Sequence, residues 1–138
     1  MKIFLDTNIL LDLVLDRAGT DDARKIAGIG EENDWVRMYA SYLSMANMAY
    51  ILRKKPVEEV KDCLSRLCKF INILPMNDMQ LMSAIRNCDS PDFEDALQIM
   101  CAEEKDCDLI ITSNPSHFRD YTDIPVLSPA DFLAQCAE

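Results

Sequence analysis

Residues 2–8 read Lys-Ile-Phe-Leu-Asp-Thr-Asn, a short apolar run that ends abruptly in a carboxylate. An apolar run without polar alternation is typical of a strand that is covered on both faces of a parallel sheet. A helical pattern follows at once over residues 8–15. The stretch therefore predicts a strand over residues 2–5, with Asp6 at the point where the backbone leaves the sheet.

The same alternation of apolar runs and helical patterns continues along the chain. It predicts further strands over residues 35–40, 71–74, 109–112 and 126–127. The helices are predicted over residues 21–29, with Thr20 as N-cap, and over 41–52, 56–70, 78–87, 91–105 and a last segment after Ser128-Pro129. Strands that alternate with helices predict an α/β fold, with a parallel sheet between two helical layers. No linker or repeat divides the chain, so we expect one domain over residues 1–138.

Composition removes several classes of function. The 138 residues include three glycines, and none begins a phosphate-binding G-x-G-x-x-G or G-x-x-x-x-G-K motif. His117 is the single histidine, which rules out a zinc site built on His pairs. The formal charge of -10 argues against nucleic-acid capture by the whole surface, although it permits a local basic face or a clustered metal site.

The cysteines and the apolar runs bear on the cellular compartment. None of the six cysteines stands in C-x-x-C spacing, so a disulfide scaffold or zinc ribbon is not expected. We expect the thiols to be small core residues of a protein in a reducing cytoplasm. The sequence shows no signal peptide and no apolar run of membrane-spanning length, so no membrane association is expected.

Polar side chains mark the ends of the predicted strands. Asp6 follows the first strand, Asp92 and Asp95 begin a later helix, and residues 112–114 read Thr-Ser-Asn after the fourth strand. Asn47 lies in an apolar segment of the helix after the second strand. Each feature alone has an ordinary structural explanation, as a helix cap, a core amide or a turn.

Together these side chains indicate a metal site. The carboxyl ends of parallel strands meet at one edge of a sheet, where ligands bind in α/β folds. Carboxylates gathered there repel one another unless a cation neutralises them, and carboxylate oxygens suit Mg²⁺ or Mn²⁺. Such an ion can activate water and stabilise charge on a phosphodiester oxygen. The pattern therefore favours a phosphodiester hydrolase.

The order and spacing of these segments resemble the PIN domain, the small nuclease fold of VapC-type toxin–antitoxin ribonucleases that is related to flap endonucleases. The resemblance covers essentially the whole chain, and it rests on Phe-Leu-Asp-Thr-Asn at 4–8, Asp-Phe-Glu-Asp-Ala-Leu at 92–97, and Ile-Ile-Thr-Ser-Asn at 110–114 followed by Phe118. It implies a five-stranded parallel sheet in a three-layer α/β/α sandwich. It also implies a metal-dependent endoribonuclease acting on single-stranded RNA, an antitoxin partner and a homodimer.

The resemblance also implies roles for individual residues. Asp6 and Asp95 match acidic positions of the family, and Asp92 is an additional carboxylate beside them. These three are the expected ligands of Mg²⁺ or Mn²⁺, and Asn47 and Asn114 complete the expected catalytic set. The residues expected to contact substrate are Thr7, Asn8, Ser41, Thr112 and Ser113.

The chain departs from the family pattern at three positions. Asn47 stands where the family usually has Glu, Asn114 where it often has Asp, and His117 replaces the Asp of a closing Asp-Phe pair. An amide oxygen can ligate a hard cation but adds no negative charge, so metal affinity is expected to fall. The alternative function is a PIN-like module that binds RNA or protein without cleaving it.

Three further patterns in the sequence bear on function or packing. A haloacid-dehalogenase phosphatase would need Asp at position 8, where the chain has Asn8, so that class is not favoured. A basic set could bind phosphates beside the site or could be a solvated helix face; it comprises Arg53, Lys54, Lys55, Lys61, Arg66 and Lys69. A methionine set at helical spacing is expected in the core or at a dimer contact; it comprises Met76, Met79 and Met82.

Overall fold

The computed structural model of the chain describes residues 1–137. The strands are β1 (Lys2–Leu5), β2 (Arg37–Ser41), β3 (Asn72–Leu74), β4 (Leu109–Ile111) and β5 (Val126–Leu127). The helices are α1 (Thr7–Val14), α2 (Thr20–Glu32), α3 (Tyr42–Ile51), α4 (Val57–Leu67), α5 (Asp78–Asn87), α6 (Phe93–Glu104) and α7 (Pro129–Cys136). Two short 3₁₀ turns, Pro115–His117 and Arg119–Tyr121, connect β4 to β5.

The five strands form one parallel sheet in the order β3-β2-β1-β4-β5. The central strand is β1, where Ile3 pairs with Met38 of β2 on one side and with Leu109 of β4 on the other. The chain first builds the sheet outward from β1 to β3, and then returns to add β4 on the opposite side of β1. This reversal opens a crevice between the carboxyl ends of β1 and β4.

Both faces of the sheet are buried, which confirms the predicted three-layer α/β fold. One face packs Ile3 and Leu5 against α1, α2, α3, α4 and α7, through side chains that include Ile26 and Phe132. The other face packs Phe4 and neighbouring side chains mainly against α6. Since alternate residues of β1 enter opposite cores, an uninterrupted apolar strand is what this position requires.

Several boundary predictions need correction. Thr20 does not cap α2: the N-cap is Gly19, and the Thr20 hydroxyl instead donates to the carbonyl of Leu15 at 2.6 Å. The predicted helix at 56–70 ends at Leu67, and the one at 41–52 begins after Ser41, whose hydroxyl accepts from the amide of Ser44 at 3.1 Å. The two 3₁₀ turns carried no sequence periodicity that could have predicted them.

The core predictions for sulfur-containing residues hold only in part. Cys101 and Cys107 are buried, but Cys68 and Cys136 are exposed, so the prediction of core thiols is wrong for these last two. Core placement is also wrong for Met79 and Met82, which are 81% and 38% exposed, whereas Met76 packs on the α6 side of the sheet. The reason is that α5 packs against α6 rather than the sheet, so one of its faces stays uncovered.

No helix within residues 1–137 combines the length and the apolar character that a bilayer crossing requires.

Candidate functional site

An open cavity of about 370 Å³ lies at the carboxyl ends of β1 and β4. Side chains from α1, α3, α6 and the loop after β4 line it, so residues far apart in sequence meet here. Its polar lining comprises Asp6, Thr7, Asn8, Asn47, Tyr50, Asp92, Glu94, Asp95, Gln98, Asn114 and His117. All five residues of the predicted catalytic set therefore face one cavity.

Asp6 is the most buried carboxylate of the cavity, with 7% of the residue exposed. It is the N-cap of α1, where its Oδ1 accepts from the amide of Thr7 at 2.8 Å. Its Oδ2 accepts from the hydroxyl of Thr112 at 2.8 Å. Burial raises the pKa of Asp6, while the bonds from Thr112, Thr7 and Gln98 act in the opposite direction. These contacts fix the direction of the carboxylate toward the cavity.

Asp95 is a carboxylate without an adequate partner. Its side chain is 16% exposed, and its Oδ2 is buried and accepts no hydrogen bond. The nearest cationic candidate is Nδ1 of His117, 3.6 Å from Oδ2, which is too long for a hydrogen bond. Burial, followed by the negative charges of Asp92 and Asp6, raises the pKa of Asp95 to about 6. The folded chain thus holds this carboxylate in an electrostatically unfavourable place.

Asp92 has a local role as well as a place in the cavity. It is the N-cap of α6, and its Oδ1 accepts from the amide of Asp95 at 3.2 Å. This cap sets the start of α6 and so the position of Asp95 in its first turn. Asp92 itself is exposed at the cavity rim.

Asn47 and Glu94 meet across the cavity. Asn47 lines the cavity from α3, rather than being a core amide, and its Nδ2 donates to Oε2 of Glu94 at 3.4 Å. From the sequence, Glu94 is predicted to point away from the face that Asp92 and Asp95 share, because residues two positions apart on a helix do not face each other. That prediction is wrong, since Glu94 lines the same cavity as both aspartates.

The loop after β4 brings the remaining amide to the cavity. Asn114 is exposed, and its backbone amide donates to the Thr112 hydroxyl at 3.1 Å. His117, 57% exposed in its side chain, stands in the first 3₁₀ turn. Thr112 therefore connects this loop to Asp6, because its hydroxyl contacts both.

A buried network of hydroxyl and amide groups lies beneath the acidic residues. Gln98, 2% exposed, donates from Nε2 to Ser44 Oγ at 2.7 Å and to Thr7 Oγ1 at 3.1 Å. Its Oε1 accepts from the Ser41 hydroxyl at 2.6 Å. The network joins α1, the end of β2, α3 and α6. Gln98 was not predicted as a site residue. The sequence feature that could have indicated it is a lone amide in an apolar helix, one turn after Asp95.

The residues expected to contact substrate have three different placements. Thr7 and Asn8 line the cavity, whereas Ser41 and Thr112 are fully buried beneath it and support Gln98 and Asp6 respectively. Ser113 is exposed but lies outside the cavity lining. A direct substrate contact therefore fits Thr7 and Asn8 best.

One member of the basic set, Arg53, reaches the cavity rim through its contact with Tyr50. The Arg53 guanidinium carbon lies 4.1 Å from the centre of the Tyr50 ring, and Tyr50 lines the cavity. Lys55 and Arg66, in contrast, form exposed ion pairs with Glu59 at 3.7 Å and with Asp62 at 3.1 Å. For these two residues, a solvated helix face is the better description.

The donor chemistry suits a hard cation. In residues 1–137 no group of three His, Cys, Asp or Glu side chains is spaced to enclose an ion by itself. The buried and unpartnered Oδ2 of Asp95 is nonetheless an oxygen that a cation would satisfy, and the charge of Asp6 acts on it. Two facing carboxylates with amide oxygens nearby fit Mg²⁺ or Mn²⁺, which retain water ligands, better than a fully enclosed metal.

Solved structures with the same fold were identified by comparison. The chain is similar to a chain of VapBC2 from Rickettsia felis bound to a promoter DNA fragment, with 14% identity, a TM-score of 0.73 and coverage of 93% and 98% of the two chains. VapBC-1 from nontypeable Haemophilus influenzae gives 17% identity, a TM-score of 0.69 and coverage of 94% and 99%. The Mycobacterium tuberculosis toxin VapC20, which cleaves the sarcin-ricin loop, gives 14% identity, a TM-score of 0.61 and coverage of 78% of this chain and 86% of that chain.

Sequence comparison identifies the family directly. No curated protein sequence matches the chain significantly. The family model described as "PIN domain" matches residues 2–116, which include Asp6, Asn47, Asp95 and Asn114. With the five-stranded parallel sheet and the acidic cavity at its carboxyl edge, this match establishes that the chain belongs to the PIN domain family.

Proposed function

We propose that the chain is a metal-dependent endoribonuclease that hydrolyses phosphodiester bonds of single-stranded RNA and serves as the toxin of a toxin–antitoxin pair. The observation that carries the proposal is the buried, unpartnered oxygen of Asp95 in a cavity that also contains Asp6. A chain that needed only stability would not hold an uncompensated carboxylate there. A site that binds a cation during function would keep such a carboxylate as a ligand.

Asp6, Asp95 and Asp92 are the residues that would hold Mg²⁺ or Mn²⁺. The bound ion would lower the pKa of a water molecule and offset charge on the scissile phosphate. The chain's own residues orient the site: Thr7 and Thr112 fix the Asp6 carboxylate, and the Asp92 cap fixes the first turn of α6. Asn47 and Asn114 offer neutral amide groups to substrate or solvent in the same cavity.

The rim of the cavity offers a contact for RNA. Tyr50 is 66% exposed and carries the Arg53 guanidinium over its ring. Exposed aromatic rings stack on unpaired bases, and a neighbouring guanidinium can contact the phosphate backbone. Single-stranded RNA presents both groups together, which supports it as the substrate class. Thr7 and Asn8 are the proposed polar contacts deeper in the cavity.

The partners of the chain are part of the same proposal. Relatives in fold include VapBC-1, whose fold is shared over nearly the whole chain, and a toxin–antitoxin complex from Klebsiella pneumoniae. The latter supports an antitoxin partner. The proposal further includes a homodimer, a cytoplasmic location and a single domain over residues 1–138. An antitoxin would need to cover or block the acidic cavity in order to inhibit RNA cleavage.

The test is a divalent-ion titration followed by incubation with RNA. The purified chain should bind Mn²⁺ or Mg²⁺ in calorimetry and then cleave a mixed-sequence single-stranded RNA, with no cleavage in EDTA. Asp6→Asn is the matched control, because it keeps the shape of the side chain while removing one carboxylate. Cleavage that persists in Asp6→Asn would indicate a contaminating nuclease and would contradict the proposal.

The second candidate function is binding of RNA or protein without cleavage. It is favoured by Asn47, Asn114 and His117, which stand at positions where the family carries acidic residues. RNA binding without cleavage at saturating Mn²⁺ would favour this module over the nuclease.

A further inference from the structure

Glu94 is a fourth carboxylate in the lining of the cavity, beside Asp6, Asp92 and Asp95. Glu94 lies in the first turn of α6, and its Oε2 accepts from Asn47 Nδ2 at 3.4 Å. The two side chains come from different helices, 47 positions apart in sequence. Asn47 is also the position at which the family pattern usually has Glu. An acidic group therefore stands beside the residue that lacks one.

The charges around Glu94 exclude an ordinary ion pair as the reason for this placement. Among the described residues that line the cavity there are four carboxylates, which belong to Asp6, Asp92, Glu94 and Asp95, and no Lys or Arg. Placing Glu94 here therefore adds repulsion to the chain alone, and a cation would turn that repulsion into attraction.

We propose that Glu94 supplies from α6 the acidic ligand that Asn47 does not supply from α3, and that the Asn47 amide holds the Glu94 carboxylate toward the cavity. The inference rests on the proposed metal-dependent function and adds a residue to it. It assigns exchanged roles to two positions: Asn47 becomes a hydrogen-bond donor, and Glu94 becomes the source of charge. The carboxylate that position 47 lacks is then supplied from α6, and Glu94 becomes the fourth carboxylate of the cavity, beside Asp6, Asp92 and Asp95.

A purely local explanation of Glu94 predicts different behaviour. Glutamate in the first turn of a helix is stabilised by the helix dipole, which requires no metal. That role would make Glu94→Gln slightly less stable without changing its response to an ion. The metal role predicts the reverse, since removal of one charge from the crowded cavity relieves repulsion and weakens cation binding.

The first experiment measures Mn²⁺ affinity by calorimetry without RNA, for the full chain and two variants. Glu94→Gln should bind Mn²⁺ more weakly than the parent by at least roughly 10- to 100-fold, since loss of a ligand costs no less than loss of a group that supports one. Glu104→Gln is the control, because it removes one charge from the exposed carboxyl end of the same helix. Ten helical positions separate it from Glu94, about 15 Å along the axis. It should bind Mn²⁺ with parental affinity.

The second experiment exchanges the two residues. The double variant Asn47→Glu, Glu94→Gln moves the carboxylate from α6 to α3 and keeps an amide at the other position. It should recover most of the Mn²⁺ affinity that Glu94→Gln loses, and RNA cleavage should recover with it. If the Asn47→Glu, Glu94→Gln variant fails to fold, the double variant Asn47→Asp, Glu94→Gln provides the same test with a shorter side chain at position 47.

The outcomes separate this inference from the function on which it rests. Equal Mn²⁺ affinities for Glu94→Gln, Glu104→Gln and the parent would overturn the role of Glu94 while leaving the nuclease intact. A folded exchange variant that binds Mn²⁺ no better than Glu94→Gln would overturn the exchanged roles of the two positions. A parent that neither binds Mn²⁺ nor cleaves RNA would overturn the proposed function, and the role of Glu94 with it.

Discussion

Two carboxylates of similar burial, Asp12 and Asp95, have opposite surroundings. The Asp12 side chain, 8% exposed, forms an ion pair with Arg17, whose guanidinium also donates to the carbonyl of Asn8 at 3.2 Å. The loop closes so tightly that a Cβ at Gly19 would collide with the Asp12 carboxylate. Asp95, 16% exposed, has one oxygen without a hydrogen bond and faces other carboxylates.

The two carboxylates differ in the compensating cation that the chain supplies to them. The chain supplies a cation for Asp12 five residues away, and the pair joins α1 to the loop before α2. Within residues 1–137, the basic group that contacts Asp95 is the exposed imidazole of His117, whose Nδ1 lies 3.6 Å from Oδ2. An uncompensated buried charge is costly, so its retention at the sheet edge fits a site completed by a bound ion.

The largest expected effects, on RNA cleavage and on stability, come from replacing Asp95 or Asp12 by Asn. Asp95→Asn should reduce RNA cleavage by more than roughly 100-fold, because a ligand matters more than the groups behind it. Without metal it should unfold at a higher temperature, with a gain of about 1 kcal/mol from relieved repulsion. Asp12→Asn should lose roughly 1–3 kcal/mol, since Arg17 loses its partner.

Thermal melts with and without Mn²⁺ check this pair of variants. Mn²⁺ should raise the Tm of the parent and of Asp12→Asn far more than that of Asp95→Asn. Equal metal-induced shifts in all three proteins would remove the distinction between the two carboxylates.

A smaller effect is expected beneath the site, where Gln98 joins the elements that carry the acidic residues. Gln98→Leu should cost roughly 2–4 kcal/mol, because several buried hydroxyl groups lose a partner. It should also weaken Mn²⁺ binding roughly 10- to 100-fold, because Asp6 and Asp95 lose their common support. Calorimetry and thermal melts on one preparation measure both quantities.

The neighbouring Ile99 provides the matched control for Gln98. Ile99 is fully buried on the α6 side of the sheet, and Ile99→Ala should cost roughly 2–5 kcal/mol through the cavity that it leaves. Its Mn²⁺ affinity should stay close to that of the parent. If both variants lose affinity in proportion to stability, Gln98 has only a structural role.

The next smaller effect is expected on RNA binding at the open rim of the Asp95 cavity, where Tyr50 is exposed. The closed loop around Asp12 has no such rim. Tyr50→Ala should raise KM for single-stranded RNA roughly fivefold or more, with little change in kcat, because a stacking surface is lost. Trp35 is similarly exposed, at 63%, and lies outside the cavity lining. Trp35→Ala should therefore leave KM unchanged in steady-state assays, and a rise equal to that of Tyr50→Ala would argue against a specific rim contact.

The smallest expected effect is a pH dependence of apo stability. The pKa of Asp95 is raised from 3.8 to about 6, so its proton is held more tightly in the folded chain than in the unfolded chain. The resulting stability is complete below about pH 3.8 and is lost as the pH rises through about 6. The Tm of metal-free Asp95→Asn should therefore exceed that of the parent by a few degrees at about pH 7. The two melting temperatures should converge at about pH 4, and a constant difference would contradict the assigned cause.

Sequence patterns alone predict the order of elements and the main features of the sheet. Residues 2–5 and 126–127 were predicted as strands with their final bounds, and residues 78–87 as a helix, because apolar periodicity and end signals are local. The sequence also predicts that Asp6 and Asp95 reach one sheet edge, since parallel strands align their carboxyl ends. These inferences need only neighbouring residues and the geometry of a parallel sheet.

Which side chains meet within that edge depends on contacts between segments that are distant in sequence. The contact between Asn47 and Glu94, the network of Gln98 and the unpartnered oxygen of Asp95 all depend on how α3 and α6 pack beside β1. The exposure of Met79 likewise depends on α5 packing against α6 instead of the sheet. Periodicity identifies the apolar face of a helix but not the element that covers it. Whether a carboxylate is paired or free is therefore set by packing between distant segments.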